Sequence, residues 1–293
     1  MKLAVIGSIN MDQVVTTDRV PGKGETISGR DLVYNPGGKG ANQAVAMARL
    51  GADVAMFGCV GDDENGRKLL DTLRAENIDV SNVGIVEGTP TGLAIITVSE
   101  NDNVIIVVSG ANGKADRAYF DSIKEELKDY DLVVLQHEIP IDTVEYAVSF
   151  CYDNQIPVVL NPAPAAPVSK ETVEKVTYLT PNEHEAELIF GSDKSTEELL
   201  DEYREKLIVT QGSKGVSVCL KDGTMLTVPA RKSDVVDTTG AGDTLNGAFS
   251  VRIAAGDGIE EALKYANIAA GLSIEKFGAQ SGMPSAAAVE NEL

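Results

Sequence analysis

The segment Asp237-Thr-Thr-Gly-Ala-Gly-Asp243 puts a carboxylate directly behind a glycine-rich turn, and Leu245, Ala248, Phe249 and Ile253 then recur at helical spacing. A glycine turn that enters a helix leaves backbone N–H groups unpaired at the positive end of the helix dipole, a ready anion site. Gly240 and Gly242 carry no side chain, so a phosphate can come close to the backbone there. Asp243 falls in the first helical turn, where a carboxylate could accept a hydroxyl proton while nearby N–H groups hold a phosphoryl group. Taken alone, the same aspartate is explained as well by its favourable place in the helix dipole.

A second glycine cluster, Tyr34-Asn-Pro-Gly-Gly-Lys-Gly-Ala-Asn42, also runs into a helical pattern and encloses a lysine and an amide. It is not a Walker A loop, because Gly40 follows Lys39 and Val33 stands where that motif begins with glycine. The amide of Asn42 and the N–H groups around Gly38 suit a polyhydroxyl ligand. A third polar cluster, Gly7-Ser-Ile-Asn-Met-Asp12, follows the first apolar run, at the end where open α/β sheets bind ligands. It lacks GxGxxG, so a dinucleotide fingerprint is not supported. As isolated residues, Asn10 and Asp12 read as turn formers, Asn182 as a helix cap, Lys39 as an exposed lysine and Glu138 as a surface carboxylate.

The elements that must position these clusters alternate in type. Runs 3–6, 54–60, 132–135, 158–160 and 207–210 are apolar throughout and predict buried strands. Ala41, Ala44, Val45 and Ala48 predict a helix stopped at Gly51; Leu69, Leu70 and Leu73 stripe another over 64–76. Ile259, Ala262, Leu263, Ala266 and Ala270 stripe a third. Such alternation predicts an α/β fold with a mostly parallel sheet covered on both faces. Segments 13–35 and 91–109 have no helical period and predict an inserted β-sheet, with strands 92–98 and 104–108 joined by a turn at 100–103. A second hairpin, 216–220 with 225–228, turns at Asp222-Gly223. No linker or repeat divides residues 1–293, so one core with a β insertion is expected.

Of 293 residues, 43% are hydrophobic and 24% charged, a globular balance. A net charge of -20, from 45 acidic against 25 basic residues, argues against a nucleic-acid partner. It does not exclude phosphate ligands, which backbone N–H groups and metals hold locally. Cys59, Cys151 and Cys219 are isolated and predict reduced thiols. No apolar run reaches the ~20 residues of a membrane span, and no signal peptide is recognised, so a soluble cytoplasmic protein is expected. His184-Glu185 has Leu188 where a zinc protease needs its second histidine, and GxSxG is absent. Asp62-Asp-Glu-Asn-Gly66 is half an EF-hand loop with Gly61 at the first ligand position, and reads as a solvated helix start.

Pro36-Gly-Gly-Lys-Gly-Ala-Asn-Gln43 together with Asp237-Thr-Thr-Gly-Ala-Gly-Asp243 resembles the two signatures of the phosphofructokinase-B-type, or ribokinase-like, carbohydrate kinases. The resemblance runs in the same order over essentially the whole chain. It implies a three-layer α/β/α core with a small β-sheet lid from segments 13–35 and 91–109, which also builds a homodimer. It further implies transfer from ATP to O5 of D-ribose, with Asp243 as general base and Gly240, Ala241 and Gly242 as the anion hole. By the same resemblance Asn10, Asp12, Gly38, Lys39, Gly40, Asn42 and Glu138 bind the sugar. Asn182 and Glu185, in Pro181-Asn-Glu-His-Glu185, organise Mg2+ and phosphate, while Thr210, Gly212, Ser213, Gly215 and Asn267 take the nucleotide. Asp237, Thr239, Ser273, Lys276, Gly278 and Gly282 match a site for K+. There the chain departs from the family, whose usual residue at position 282 is serine; Ser281 or water would have to replace the lost oxygen. Other acceptors of the same fold remain open: a fructose, a keto-deoxy sugar acid or a nucleoside, the last needing apolar surface that the motif segments scarcely show. A sugar-binding protein without transfer is the alternative of another class, and it would lack the base or the anion hole.

Overall fold

Apolar runs with no polar face can only be satisfied inside a sheet covered on both sides, and that is where the chain puts them. The computed structural model describes residues 1–99 and 102–293. In chain order the strands are β1 (Lys2–Ile6), β2 (Asn10–Thr16), β3 (Asp31–Gly37), β4 (Asp53–Gly61), β5 (Val83–Val86), β6 (Gly92–Ser99) and β7 (Asp102–Val108). They continue with β8 (Leu132–Gln136), β9 (Val158–Asn161), β10 (Tyr178–Leu179), β11 (Ile208–Thr210), β12 (Val216–Cys219) and β13 (Met225–Val228). The helices are α1 (Lys39–Arg49), α2 (Glu64–Ala75), α3 (Arg117–Ile123), α4 (Ile141–Asp153), α5 (Lys170–Lys175) and α6 (Glu183–Phe190). After them come α7 (Thr196–Glu202), α8 (Ala241–Ala254), α9 (Ile259–Ser273), α10 (Ala279–Gly282) and α11 (Ala286–Glu290).

The main sheet is parallel throughout, in the order β10-β9-β8-β1-β4-β5. Alternate residues of β1 serve opposite faces. Leu3 and Val5 pack with α1, α8 and α9, whereas Ala4 and Ile6 pack with α4 and the helices beyond it. Two cores on the two faces make the three layers that strand–helix alternation predicts.

The run at 207–210 is parallel on one side and antiparallel on the other. β11 pairs antiparallel with β12, which pairs antiparallel with β13, while the parallel bridges Leu179–Leu207 and Asn182–Thr210 tie β11 to β10 and the residues just after it. A three-residue strand cannot declare its partner by composition, because both pairings bury the same side chains. β5 and the two-residue β10 were not apparent in the sequence, being too short or too exposed to stand out.

The remaining strands form a separate mixed sheet, β3-β2-β6-β7, in which β2 and β6 run parallel and the outer pairs antiparallel. The turn expected at 100–103 includes residues outside those described. β2 leaves the main sheet just after β1 and carries Asn10 and Asp12 with it. On β7, residues 104 to 108 are each 44–59% exposed, so this edge presents apolar side chains on both faces. Leu32, Val33 and Tyr34 of β3 are exposed as well. No helix among the described residues is long and apolar enough to cross a membrane.

Candidate active site

Gly240 caps α8 with φ 80°, a left-handed conformation that favours glycine. The turn leaves the N–H groups of Gly242 and Asp243 without an acceptor among the described residues. Ala241 differs from its neighbours, because its N–H donates to the Thr238 carbonyl at 3.2 Å. Of the three residues expected to form an anion hole, Gly240 and Gly242 have no acceptor for their N–H among the described residues, whereas that of Ala241 turns back to Thr238. Asp243 is only 7% exposed. Its Oδ2 accepts from Asn42 Nδ2 at 2.9 Å and its Oδ1 from Gln43 Nε2 at 3.0 Å.

Both donors come from the first turn of α1, which packs tightly on the loop after β1. A Cβ on Gly40 would stand 2.7 Å from the Gly7 carbonyl carbon, so only glycine permits this approach. Around the same loop, Glu138 Oε2 gathers three donors: Ser8 Oγ at 2.5 Å, Asn10 Nδ2 at 3.3 Å and the N–H of Lys39 at 3.1 Å. Asn10 Oδ1 accepts from Asn112 Nδ2 at 2.6 Å. Gly38, the cap of α1, fits because a Cβ there would meet the Asn10 backbone nitrogen at 2.7 Å. The three sequence clusters therefore converge on one site.

Its charge balance is lopsided. Burial, helped by Glu138 and Asp243 and opposed by Lys39, pushes the Asp12 carboxyl up to about 7. Burial would lower Lys39, but Asp243, Glu138, Glu185 and Asp12 outweigh it and hold the ammonium above its ordinary value. Four carboxylates face one lysine. Such a surplus suits hydroxyl donors and a divalent cation arriving with phosphates.

A cavity of about 240 Å³ joins Lys39, Asp243, Gly240 and Gly242 to Asn182 and Glu185. Asn182 caps α6 through a reciprocal pair, with its Oδ1 accepting the Glu185 N–H and its N–H donating to Glu185 Oε2, both at 2.8 Å. Burial raises the Glu185 carboxyl, while the Asn182 N–H and Lys39 pull it back. Thr210 lies beside them, its N–H donating to the Pro181 carbonyl at 2.9 Å. Gly212 and Ser213 form a short 3-10 turn that Gly215 closes. Asn267, expected near a nucleotide base, spends its Nδ2 on the carbonyls of Val228 (2.8 Å) and Pro229 (3.1 Å).

A second cleft, of about 340 Å³, opens beside Asp12 between the mixed sheet and the loop before α8. Val14, Ile96 and Val98 line it from one side and Val235, Val236 and Phe277 from the other. The sequence reading found little apolar surface near the pocket, and the structure corrects it. These side chains come from four segments that only the fold brings together.

The expected cation residues are partly gathered. Asp237 Oδ1 accepts the N–H (2.9 Å) and hydroxyl (2.7 Å) of Thr239, and its Oδ2 accepts the Gly278 N–H at 2.9 Å. Burial would raise this carboxyl, but those three donors hold it below its ordinary value. Gly282 sits against Ser273, where a Cβ would come 2.0 Å from the carbonyl oxygen. Ser281 donates its hydroxyl to the carbonyls of Phe277 and Gly278. Lys276 is exposed.

A family model described as pfkB family carbohydrate kinase matches residues 1–286. The chain belongs to the pfkB carbohydrate kinase family. Among similar members are proteins named ribokinase from Bacillus subtilis, 47% identical over 99% of each chain, and from Lactococcus lactis, 46% identical over all of this chain and 97% of that one. A solved structure of Arabidopsis thaliana ribokinase complexed with ribose and ATP superposes with a TM-score of 0.89 at 31% identity, covering 99% of this chain and 97% of that one.

Within this pfkB kinase, several site residues carried no readable signal. Ser8 stands in Gly7-Ser-Ile-Asn-Met-Asp12 as an ordinary small polar residue, and Asn112 follows β7 in a polar stretch. Gln43, Gln136 and Gln280 are buried glutamines from α1, β8 and α10. Only the burial of an amide marks them, and burial is not visible along the chain.

Proposed function

We propose that this kinase transfers the γ-phosphoryl group of ATP to O5 of D-ribose, with Asp243 as general base. The observation that carries the reading is the Asp243 carboxylate, held by two amides, in one cavity with Lys39 and the free N–H of Gly242. In the step, O5 forms a bond to the γ-phosphorus, the bond from that phosphorus to the bridging oxygen of ADP breaks, and the O5 proton passes to Asp243. Alignment and charge neutralisation lower the barrier. The N–H groups of Gly242 and Asp243 face the phosphoryl oxygens, and the helix dipole supports them.

In this reading Asn10, Asp12, Gly38, Lys39, Gly40 and Glu138 hold the sugar hydroxyls. Asn42 contributes less directly, since its amide already spans Asp243 and Gln280. Thr210, Gly212, Ser213, Gly215 and the free oxygen of Asn267 line the nucleotide path. Glu185, buried and bonded through one carboxylate oxygen among the described residues, would hold Mg2+ with Asn182 through water. The magnesium ion would neutralise phosphate charge. Asp237 and the carbonyls of Thr239, Ser273, Lys276, Gly278 and Gly282 offer only oxygen, as K+ requires. The mixed sheet acts as a lid on one core of 1–293, and its open apolar edge pairs two subunits. Three buried free thiols accord with a cytoplasmic setting.

The apolar cleft beside Asp12 favours one second reading, a ribose bearing a base at C1. ADP release measured across ribose, 2-deoxyribose, fructose and adenosine, with Mg2+ and K+ added or withheld, separates the two. Ribose-selective turnover supports the proposal; preference for adenosine supports the second reading; silence with every acceptor defeats both.

A further inference from the structure

Asp243 presents each carboxylate oxygen to an amide, and an amide has two unlike ends. Only its N–H end bonds a carboxylate; its oxygen repels one. Here a second amide stands behind each donor. Gln136 Nε2 donates to Gln43 Oε1 at 2.7 Å, and Gln280 Nε2 donates to Asn42 Oδ1 at 3.1 Å. With their oxygens so engaged, Asn42 turns its nitrogen to Asp243 and Gln43 turns its nitrogen to Asp243 and to Asn161 Oδ1 (3.2 Å).

The supporting glutamines are costly to keep. Gln136 is fully buried at the end of β8, and its own Oε1 has no partner among the described residues. Gly7 leaves the space it occupies, since a Cβ there would stand 2.0 Å from that oxygen. The bond that Gln136 does make is the one to Gln43. Gln280 is held from behind: Arg49 Nη1 donates to the carbonyls of Gln280 and Met283, and Arg49 also pairs with Glu76 at 2.6 Å.

We infer that Gln136 and Gln280 are positioning residues for phosphoryl transfer, fixing the polarity of the two amides that hold Asp243. The inference rests on the proposed role of Asp243 as base. A donor on each oxygen stops the carboxylate from turning, so a single orientation faces the cavity shared with Lys39 and Gly242. The charged groups around Asp243 are Lys39 from α1, Asp12 from β2, Glu138 after β8 and Glu185 from α6, and none is altered by changing either glutamine.

The test is Gln136→Met and, separately, Gln280→Met, each close in volume to the parent side chain and lacking the donor. Rates are read over a range of sugar concentrations, so that kcat and KM are separated. For each variant kcat at neutral pH should fall about tenfold, with KM for the sugar within about twofold. Parent-like kcat in both variants, or a KM for the sugar that rises in step with the loss of kcat, overturns the inference. If Gln136→Met does not fold, Gln280→Met alone decides. Asp243→Asn separates the two levels: parent-like transfer by that variant removes the base and the relay together. Silence from Asp243→Asn with parent-like glutamine variants removes only the relay.

Discussion

Gly282→Ser would return a side-chain oxygen to the loop expected to hold a monovalent cation, yet the geometry predicts loss rather than gain. A Cβ at this position lies 2.0 Å from the Ser273 carbonyl oxygen, where ordinary contact begins at 3.4 Å. The obstacle is backbone at the end of α9, not the tip of a flexible side chain, so relief requires one chain segment to move by more than an ångström. Overpacking of this kind costs about 1–3 kcal/mol, and the rigid partner puts the expectation near the upper end. For a chain of this size that is a fall of roughly 6 °C or more in Tm. The assay is thermal unfolding with and without K+, paired with initial rates over a K+ titration. The predicted result is lower stability and K+ activation no stronger than that of the parent. A variant as stable as the parent and more strongly activated by K+ would refute the reasoning, because Ser273 could not then be facing Gly282.

Two further outcomes follow from burial. Asp12 keeps its proton up to about 7, above its ordinary value, so the native state binds more protons than the unfolded chain between pH ~4 and 7, and its stability falls as pH rises through that window. Asp12→Asn should flatten this fall and exceed the parent above pH 7 by on the order of 1–3 kcal/mol, with the difference fading toward pH 4; urea unfolding at several pH values measures it, and equal slopes for both proteins would contradict it. On the exposed edge, Ile106→Lys should shift the elution of a dimer toward monomer with the parent Tm at high dilution; a parent that already elutes as a monomer counts against the lid interface.

The parallel sheet was legible because a strand buried on both faces must be apolar at every position, as in β1, β4, β8 and β9. The site's two glycine turns were legible for a related reason, since α1 and α8 begin where only residues without side chains allow the approach. What stayed hidden depends on distance. Gln136 meets Gln43 across 93 residues and Gln280 meets Asn42 across 238, and a lone buried amide leaves no periodic trace. The apolar cleft is a further case. Val235, Val236 and Phe277 look like ordinary loop residues until Val14, Ile96 and Val98 stand opposite. Ala241 shows a finer limit, because its place in the motif did not reveal that its N–H turns back to Thr238.

The most direct test is single-turnover phosphoryl transfer by Asp243→Asn, with sugar binding followed separately by calorimetry. The amide is close in size but cannot take the hydroxyl proton, and because its Nδ2 meets one of the donors from Asn42 and Gln43, the binding measurement checks that the site is kept. The predicted result is sugar affinity within a few-fold of the parent and transfer slowed on the order of 10³-fold. Transfer within tenfold of the parent, with the sugar still bound, would contradict the account.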